Sequence, residues 1–441
     1  MPLRLEAAAV ALASNSYYEA TARPAPQRAT LQGNITADVC VVGGGLAGIS
    51  TALELAERGY HVVLLEARRV GWAASGRNGG QALIGFASDQ DEFEKQLGLA
   101  DAKRAFNITV EALELLRARI NKHNIACDWV PGALSCSVTQ AKAKLLSAWV
   151  EKMRSVYGYT HLSSIAASDI GNWVQTTRYV NGAIDTLGGH LHPLNYTRGL
   201  AAAAENAGAK IYEQSPVLEV TPAAQNGAHA GNKARVKTAN GEVHANFVVL
   251  AGNMHLGGVA PSLESRIMPV GTYIMTTAPL GKARADALIK DRAAVCDTQF
   301  VLDYYRVTGD DRMLFGGRVS YSTRSPANLK ETMRAKMLRV FPQLADVAAD
   351  YAWGGFVDIS MNRAPDFGRI APDVLYLQGF SGHGLALTGI AGKLAAEVVA
   401  GQAERFDLLA RMKHQSFPGG DLLRMPALVL GMAYYRLRDY L

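Results

Sequence analysis

Apolar positions along this chain change their spacing in a way that marks two kinds of unit. Residues 39–42 form a continuous apolar run, followed by Gly43, Gly44 and Gly45. Apolar residues then recur at helical spacing from Leu46 to about residue 58, Gly59 stops the helix, and a second apolar run at 62–65 ends in Glu66. The pattern predicts strand, tight turn, helix, strand. Phe106, Val110, Leu113, Leu116 and Ile120 share one helical face, which predicts a helix over 98–124. Further helices are expected at 141–157, at 193–207 behind Pro193, and at 328–340 before Pro342.

Strand-type runs fall between these helices. Candidates lie around Trp129 and at 134–138, then at 217–220, 234–238, 243–245 and 247–250, with Asn240 and Gly241 as a hairpin signal. Short strands dominate 268–320, at 273–277, 300–307 and 313–319, and predict an antiparallel sheet. The chain then returns to its opening syntax: a strand at 374–378, a tight loop at 380–384 and a small-residue helix at 385–400. The expected fold is α/β, with a discontinuous Rossmann-like nucleotide-binding domain (1–88, 147–260 and 355–405). An α+β substrate domain with an antiparallel sheet (89–146 and 261–354) and a C-terminal strap (406–441) complete it.

Composition narrows the class. The chain has 441 residues, 49% hydrophobic and 19% charged, so it is long enough for two or three packed domains. A net charge of +6 without dense Lys/Arg runs does not point to nucleic acid. Cys40, Cys127, Cys136 and Cys296 are scattered without CxxC spacing, which points to a reducing compartment and no structural metal. The first residues resemble a signal peptide only superficially, because Glu6 interrupts a mostly alanine stretch. No run of 18 apolar residues appears, so no spanning helix is expected and the cytoplasm is the expected location.

The first turn carries the clearest chemistry. Gly43 allows a tight turn, Gly45 lets backbone approach a pyrophosphate, and Gly48 lets helix and strand pack closely. Gly44, Leu46 and Ala47 complete a helix N-terminus whose N–H groups face phosphate. Glu66 lies 23 residues after Gly43, placed to accept from a ribose and to disfavour a phosphorylated one, which leaves FAD or NAD. Two further glycine-rich loops, at 75–81 and 381–384, suit a long cofactor such as FAD. The second opens a helix whose positive end can face the edge of a flavin where negative charge develops. Arg77 and His383 are candidate flavin neighbours, or else a surface charge and a satisfied loop histidine.

Taken together, Ser16, Tyr17 and Tyr18 with residues 74–81, 188–194, 302–306, 379–384, 417–420 and 433–439 resemble the glycine oxidase/D-amino-acid oxidase superfamily of FAD amine oxidoreductases. The likeness runs over nearly everything after about residue 14. It implies FAD as cofactor, held additionally by Ala67, Arg68, Ala74, Ser75, Gly76, Asn78, Gly79, Gly80, Gln81, Val217, Ala251, Gly252, Gly382, Gly384 and Leu385. It also implies oxidation of a C–N bond, with a hydride leaving the carbon next to nitrogen, hydrolysis to aldehyde and ammonia, and O2 reduced to hydrogen peroxide. The more specific segments imply a polyamine-derived, γ-glutamylputrescine-like amine as substrate.

One departure bears on that substrate. Amino-acid-oxidising members commonly carry Gly-Leu-Arg-Pro before the last strand, and this chain has Gly355, Phe356, Val357 and Asp358 there. Val357 stands where the carboxylate-binding arginine would fall. Arg363 reads as structural, while Arg318 or Arg324 could substitute, so an amino-acid oxidase or dehydrogenase (glycine, sarcosine, proline or a D-amino acid), with O2 or a quinone as acceptor, stays open. Tyr304 and Tyr305 are substrate-contact candidates, but neighbours on a strand face opposite ways, so only one can line the site. His190 and His192 are either site residues or loop hydrogen-bonders, and no third ligand makes them a metal site. The segment 422–441 reads as a strap packed on the body, or as a membrane-surface or oligomer contact.

Overall fold

The computed structural model describes residues 9–10, 15–225, 233–320 and 328–418. Its first sheet has five parallel strands in the order Val374–Gln378, Gly241–Leu250, Gly33–Val42, Val62–Leu65 and Lys210–Tyr212. Asp366–Ala371 pairs antiparallel on one edge, and Val217–Thr221 with Ala234–Thr238 forms an antiparallel branch. Both faces of the parallel strands are covered, which is why these strands read as unbroken apolar runs. On one face the helices Leu46–Glu57, Pro193–Asn206 and Gly384–Val399 pack with Val39, Val41, Val62 and Leu64. On the other, Cys40, Val42, Val63 and Leu65 join Val236, Val243 and Val248.

The second sheet has nine strands. Ala349–Ser360, Ile267–Thr277, Met313–Ser320, Tyr304–Val307, Ala294–Asp297, Val130–Ser137, Asn181–His190 and Gln81–Ala82 follow in order, with Leu162–Ile165 alongside Asn181–His190. It is antiparallel except where Ala294–Asp297 runs parallel to Val130–Ser137. Its back face packs Tyr305, Phe315 and Phe356 against Met333 and Met337 of the helix Leu329–Val340. Its front face lies against the 74–81 loop, where Gly79 meets the Tyr304 ring.

The expected elements recur with shifted limits. The helices run Leu99–Lys122, Gln140–Ser155 and Leu329–Val340. Two expected strands, at 243–245 and 247–250, are one strand, Gly241–Leu250, because it pairs with Gly33–Val42 along its whole length. The expected strand at 300–307 shortens to Tyr304–Val307. The boundaries drawn between domains do not follow the sheets. Leu162–Ile165 and Asn181–His190, placed with the nucleotide-binding unit, belong to the second sheet. Conversely, Phe106, Leu113 and Leu116 of Leu99–Lys122, placed in the substrate unit, pack in the core of the first. Most of the expected strap, 419–441, lies outside the described residues. Among the described residues no helix is long and apolar enough to cross a membrane.

Candidate active site

Gly33–Val42 delivers the glycine turn to the mouth of the first sheet. Gly43 has φ +113 and backs onto the end of Gly241–Leu250, where a side-chain carbon would lie 2.8 Å from the Ala251 carbonyl oxygen and 2.9 Å from Gly252 N. A side chain at Gly48 would run into the Gly43 carbonyl oxygen. Both glycines are required by space. The Glu66 carboxylate accepts from Gly44 N at 2.6 Å and Arg68 N at 2.8 Å. Burial raises its pKa, and those two N–H groups offset only part of the rise. Ser215 N donates to the Glu66 carbonyl, so Val217, two residues on, stands near this acid at the start of the antiparallel branch.

The loop at 74–81 is knitted to the same turn. Gly45 precedes the helix and has no side chain to cap it, and Ser75 Oγ supplies the missing acceptor for Leu46 N at 2.9 Å. Asn78 Nδ2 donates to the carbonyls of Ala74 and Ser75 at 3.0 and 3.1 Å, and its Oδ1 accepts from Gly80 N at 2.8 Å. Gly79 then passes its carbonyl to Arg306 Nε at 2.9 Å. A continuous hydrogen-bonded path thus joins the second sheet to the N-terminus of the nucleotide helix. Gln81 closes the loop by donating to the carbonyls of Val295 and Tyr305 and accepting from Cys296 Sγ.

Beneath this loop lies the front face of the second sheet, and its register sets out rows of side chains. One row is Tyr304, Gly316, Ile274 and Trp353; the next pairs Thr272 with Gly355, and the next Val270 with Val357. None of these side chains is charged. Trp353 Nε1 donates to the Arg77 carbonyl at 3.0 Å, and Arg77 Cβ lies 3.9 Å from where a Gly355 side chain would begin. The Tyr304 ring slots between Gly79 and Gly316, both too close to it to carry a side chain. A further row, with Arg306 and Tyr351, is covered by the helix Tyr17–Thr21.

The second loop reaches the same strand. Ser381 and Gly382 both take left-handed φ, and the helix Gly384–Val399 starts directly after them, with Leu385 buried in its first turn. His383 Nε2 bonds the Ile84 carbonyl at 3.0 Å, and burial lowers its pKa, so it is a neutral donor tying this loop to the chain beyond Gln81. Asp358 Oδ2 accepts from Phe380 N at 2.9 Å. Burial holds the Asp358 carboxyl up at about 6 against the N–H groups of Asn253, Gly379 and Phe380. Its folded pKa exceeds the ordinary carboxylate value, so its stabilising contribution is present below about pH 4 and is lost as pH rises through 6, about 3 kcal/mol in all. The difference in melting temperature between wild type and Asp358→Asn should therefore change between pH 4 and 6.5 and level off above 7. A difference constant across that range would contradict this.

The structure separates the remaining candidates. Tyr304 is on the front face, whereas Tyr305 is fully buried behind it, stacked on Phe315 and bonded to Tyr179 at 2.9 Å. Tyr305 is a core residue, because it lies on the face that the helix Leu329–Val340 covers. His190 and His192 are not open to a substrate. His190 Nε2 meets the Arg292 carbonyl at 2.8 Å, and His192 caps the helix Pro193–Asn206 through Asn195 N at 3.2 Å. Burial and Arg306 lower both to about 3, so both are neutral. Arg77 is only 6% exposed, its guanidinium lies 4.7 Å from the Trp72 ring centre, and its Nε has no hydrogen-bond partner among the described residues. Arg363 lies over Phe300 at 5.2 Å. Arg324 and the side chain of Arg318 fall outside the described residues. Thr272 belongs to the floor although nothing in its sequence surroundings singled it out, and Trp353 packs beneath it among Tyr18 and Leu194. Among the described residues no group of three His, Cys, Asp or Glu could hold a metal.

Comparison with known proteins bears on the family and the fold. The DAO family model, described as FAD dependent oxidoreductase, matches residues 38–398. The chain is 42% identical over 97% of its length, and 99% of the relative's, to gamma-glutamylputrescine oxidoreductase of Escherichia coli (strain K12). The fold is similar to that of glycine oxidase from Geobacillus kaustophilus, with a TM-score of 0.69 and 18% identity over 83% of this chain and 95% of that one. L-proline dehydrogenase from P. horikoshii matches with a TM-score of 0.67 and 20% identity over 85% and 94%.

Proposed function

Because the chain belongs to the DAO family of FAD-dependent oxidoreductases, we propose that it oxidises the C–N bond of a polyamine-derived primary amine of the γ-glutamylputrescine type. The products are an aldehyde, ammonia and, with O2 as acceptor, hydrogen peroxide. One observation carries the substrate class: the front-face positions that stay partly open, Tyr304, Thr272, Gly355 and Val357, are uncharged, with valine where amino-acid-oxidising members place an arginine.

The residues present fit FAD. Gly43 and Gly48 clear the space a pyrophosphate-binding turn requires, and the Leu46–Glu57 N-terminus faces it. Arg77 Nε and Asn253 Oδ1 are buried polar atoms with no hydrogen-bond partner among the described residues. Glu66 and residues 43–48 would hold the adenosine end, and loops 74–81 and 381–384 the ring. When bound, FAD supplies the two-electron acceptor for the hydride leaving the carbon next to nitrogen. The chain does the rest by position and polarity. Tyr304 orients the amine, and the uncharged floor disfavours an ammonium, so the nitrogen enters with a free lone pair. Water from solvent then hydrolyses the imine. All four cysteines are unpaired thiols, which supports a reducing, cytoplasmic setting.

Anaerobic mixing of the yellow holoenzyme with γ-glutamylputrescine, putrescine and related amines should bleach the visible flavin band. FAD-loaded protein that no amine bleaches would sink the reading. Oxidation of an amino acid is the second reading, supported by the buried cation Arg77, whose Cβ lies next to Gly355. It requires glycine, sarcosine or proline to bleach the band faster than any amine. Stoichiometric peroxide on readmitting air supports O2 as acceptor over a quinone.

A further inference from the structure

Arg306 is 2% exposed, and its partners are the Gly79 carbonyl at 2.9 Å, His190 Nδ1 at 3.3 Å and the Tyr18 hydroxyl at 3.0 Å. All three are neutral. His190 donates through Nε2 to the Arg292 carbonyl and so presents Nδ1 as an acceptor, and burial keeps the Tyr18 hydroxyl protonated. Two other buried arginines are paired with carboxylates, Arg28 with Glu205 and Glu213 and Arg119 with Glu54, whereas Arg77, like Arg306, forms no ion pair among the described residues. Among the described residues Arg306 has no carboxylate partner. A buried cation without a counter-charge is costly and calls for an anion that arrives later.

Its place in the fold says which anion. A side chain at Gly80 would lie 2.9 Å from Arg306 Nη2, so the guanidinium is directly under the Gly79–Gly80 peptide. That loop crosses the site floor at Tyr304 and is tied through Asn78 and Ser75 to the nucleotide helix. We propose that Arg306 is a positioning residue that holds the 78–81 loop and whose unpaired charge stabilises the negative charge FAD acquires on reduction. This inference rests on the FAD-dependent reading above. The transferred hydride carries one proton and two electrons, so the acceptor gains one negative charge and the imine leaves with the matching positive one. The low-dielectric surroundings let a charge that touches no substrate act through the peptide it grips.

The test is the reduction equilibrium of the FAD-loaded protein, read in dye-coupled reductive titrations. Arg306→Met should shift it at least tenfold toward oxidised flavin, about 30 mV in midpoint potential. Arg306→Lys, which keeps the charge, should stay within threefold of wild type. His190→Glu places a carboxylate beside an intact guanidinium, and should reproduce the shift seen with Arg306→Met; it carries the test if that variant fails to fold. A merely structural Arg306 would leave the equilibrium within threefold in all three, and a shift in Arg306→Lys equal to that in Arg306→Met would also overturn the inference. Wild-type protein that takes up FAD yet is bleached by no amine fails the substrate reading alone, since the titrations need no amine.

Discussion

Gly48→Val is expected to yield a colourless protein. A side chain at this position collides with the Gly43 carbonyl oxygen before its second carbon is reached, and Val41 Cγ1 lies 3.3 Å away on the other side. Gly43 cannot retreat, because the Ala251 carbonyl and Gly252 N stand within 3 Å of where its own side chain would begin. The helix Leu46–Glu57 must therefore lift off the strand. That breaks the Leu46–Ser75 hydrogen bond and displaces the N–H groups meant for the pyrophosphate. Overpacking of this kind typically costs about 1–3 kcal/mol in stability, and the loss in cofactor binding should be larger because the site depends on preorganised donors. Gly59→Ala is the matched control. Gly59 has φ +85 but open space around it, so alanine there costs about 1–2 kcal/mol of backbone strain and should leave FAD content unchanged. FAD content after desalting and the melting temperature decide it; stoichiometric FAD in Gly48→Val would refute the reading of this turn.

That turn was legible in the sequence because each glycine answers a local steric demand. The helices were legible for a related reason: their apolar spacing reflects one buried face each. The second sheet was only half visible. Asn181–His190 and Ala349–Ser360 carry Gly188–Gly189 and Gly354–Gly355, and paired glycines read as loop. In the fold they are strand glycines held small by neighbours: Gly189 lies against Trp129 and the Val130 carbonyl, and Gly355 faces Arg77. Tertiary crowding overrode the local signal. The tyrosine pair shows a similar limit. Alternation required one in and one out, but the choice depends on which face the helix Leu329–Val340 covers, and that is a long-range fact. Arg306 sat inside a recognisable motif, yet its absence of a counter-charge exists only in three dimensions. The two histidines misled because a helix cap and a buried neutral acceptor look, in one dimension, like chemistry.

Val357→Arg should exchange substrate classes. Val357 is half-buried on the front face, paired across the sheet with Val270 and one row beyond Gly355 and Thr272, while its neighbour Phe356 is buried behind. An arginine there restores the residue type that the resemblance assigns to amino-acid oxidation. Charge-assisted hydrogen bonds from a guanidinium to a carboxylate contribute about 1.5–3 kcal/mol each, so flavin reduction by glycine or sarcosine should rise at least tenfold. Reduction by the amine should fall at least a hundredfold in kcat/KM, because the added bulk fills the floor and its charge repels an arriving ammonium. Val357→Met separates the two causes: it adds length without charge, and should lower amine turnover only severalfold with no gain for glycine. Rapid mixing under anaerobic conditions reads all of these rates from the same flavin band. If Val357→Arg retains FAD and treats amine and glycine as wild type does, Val357 does not face the substrate, and the uncharged floor loses its claim to choose it.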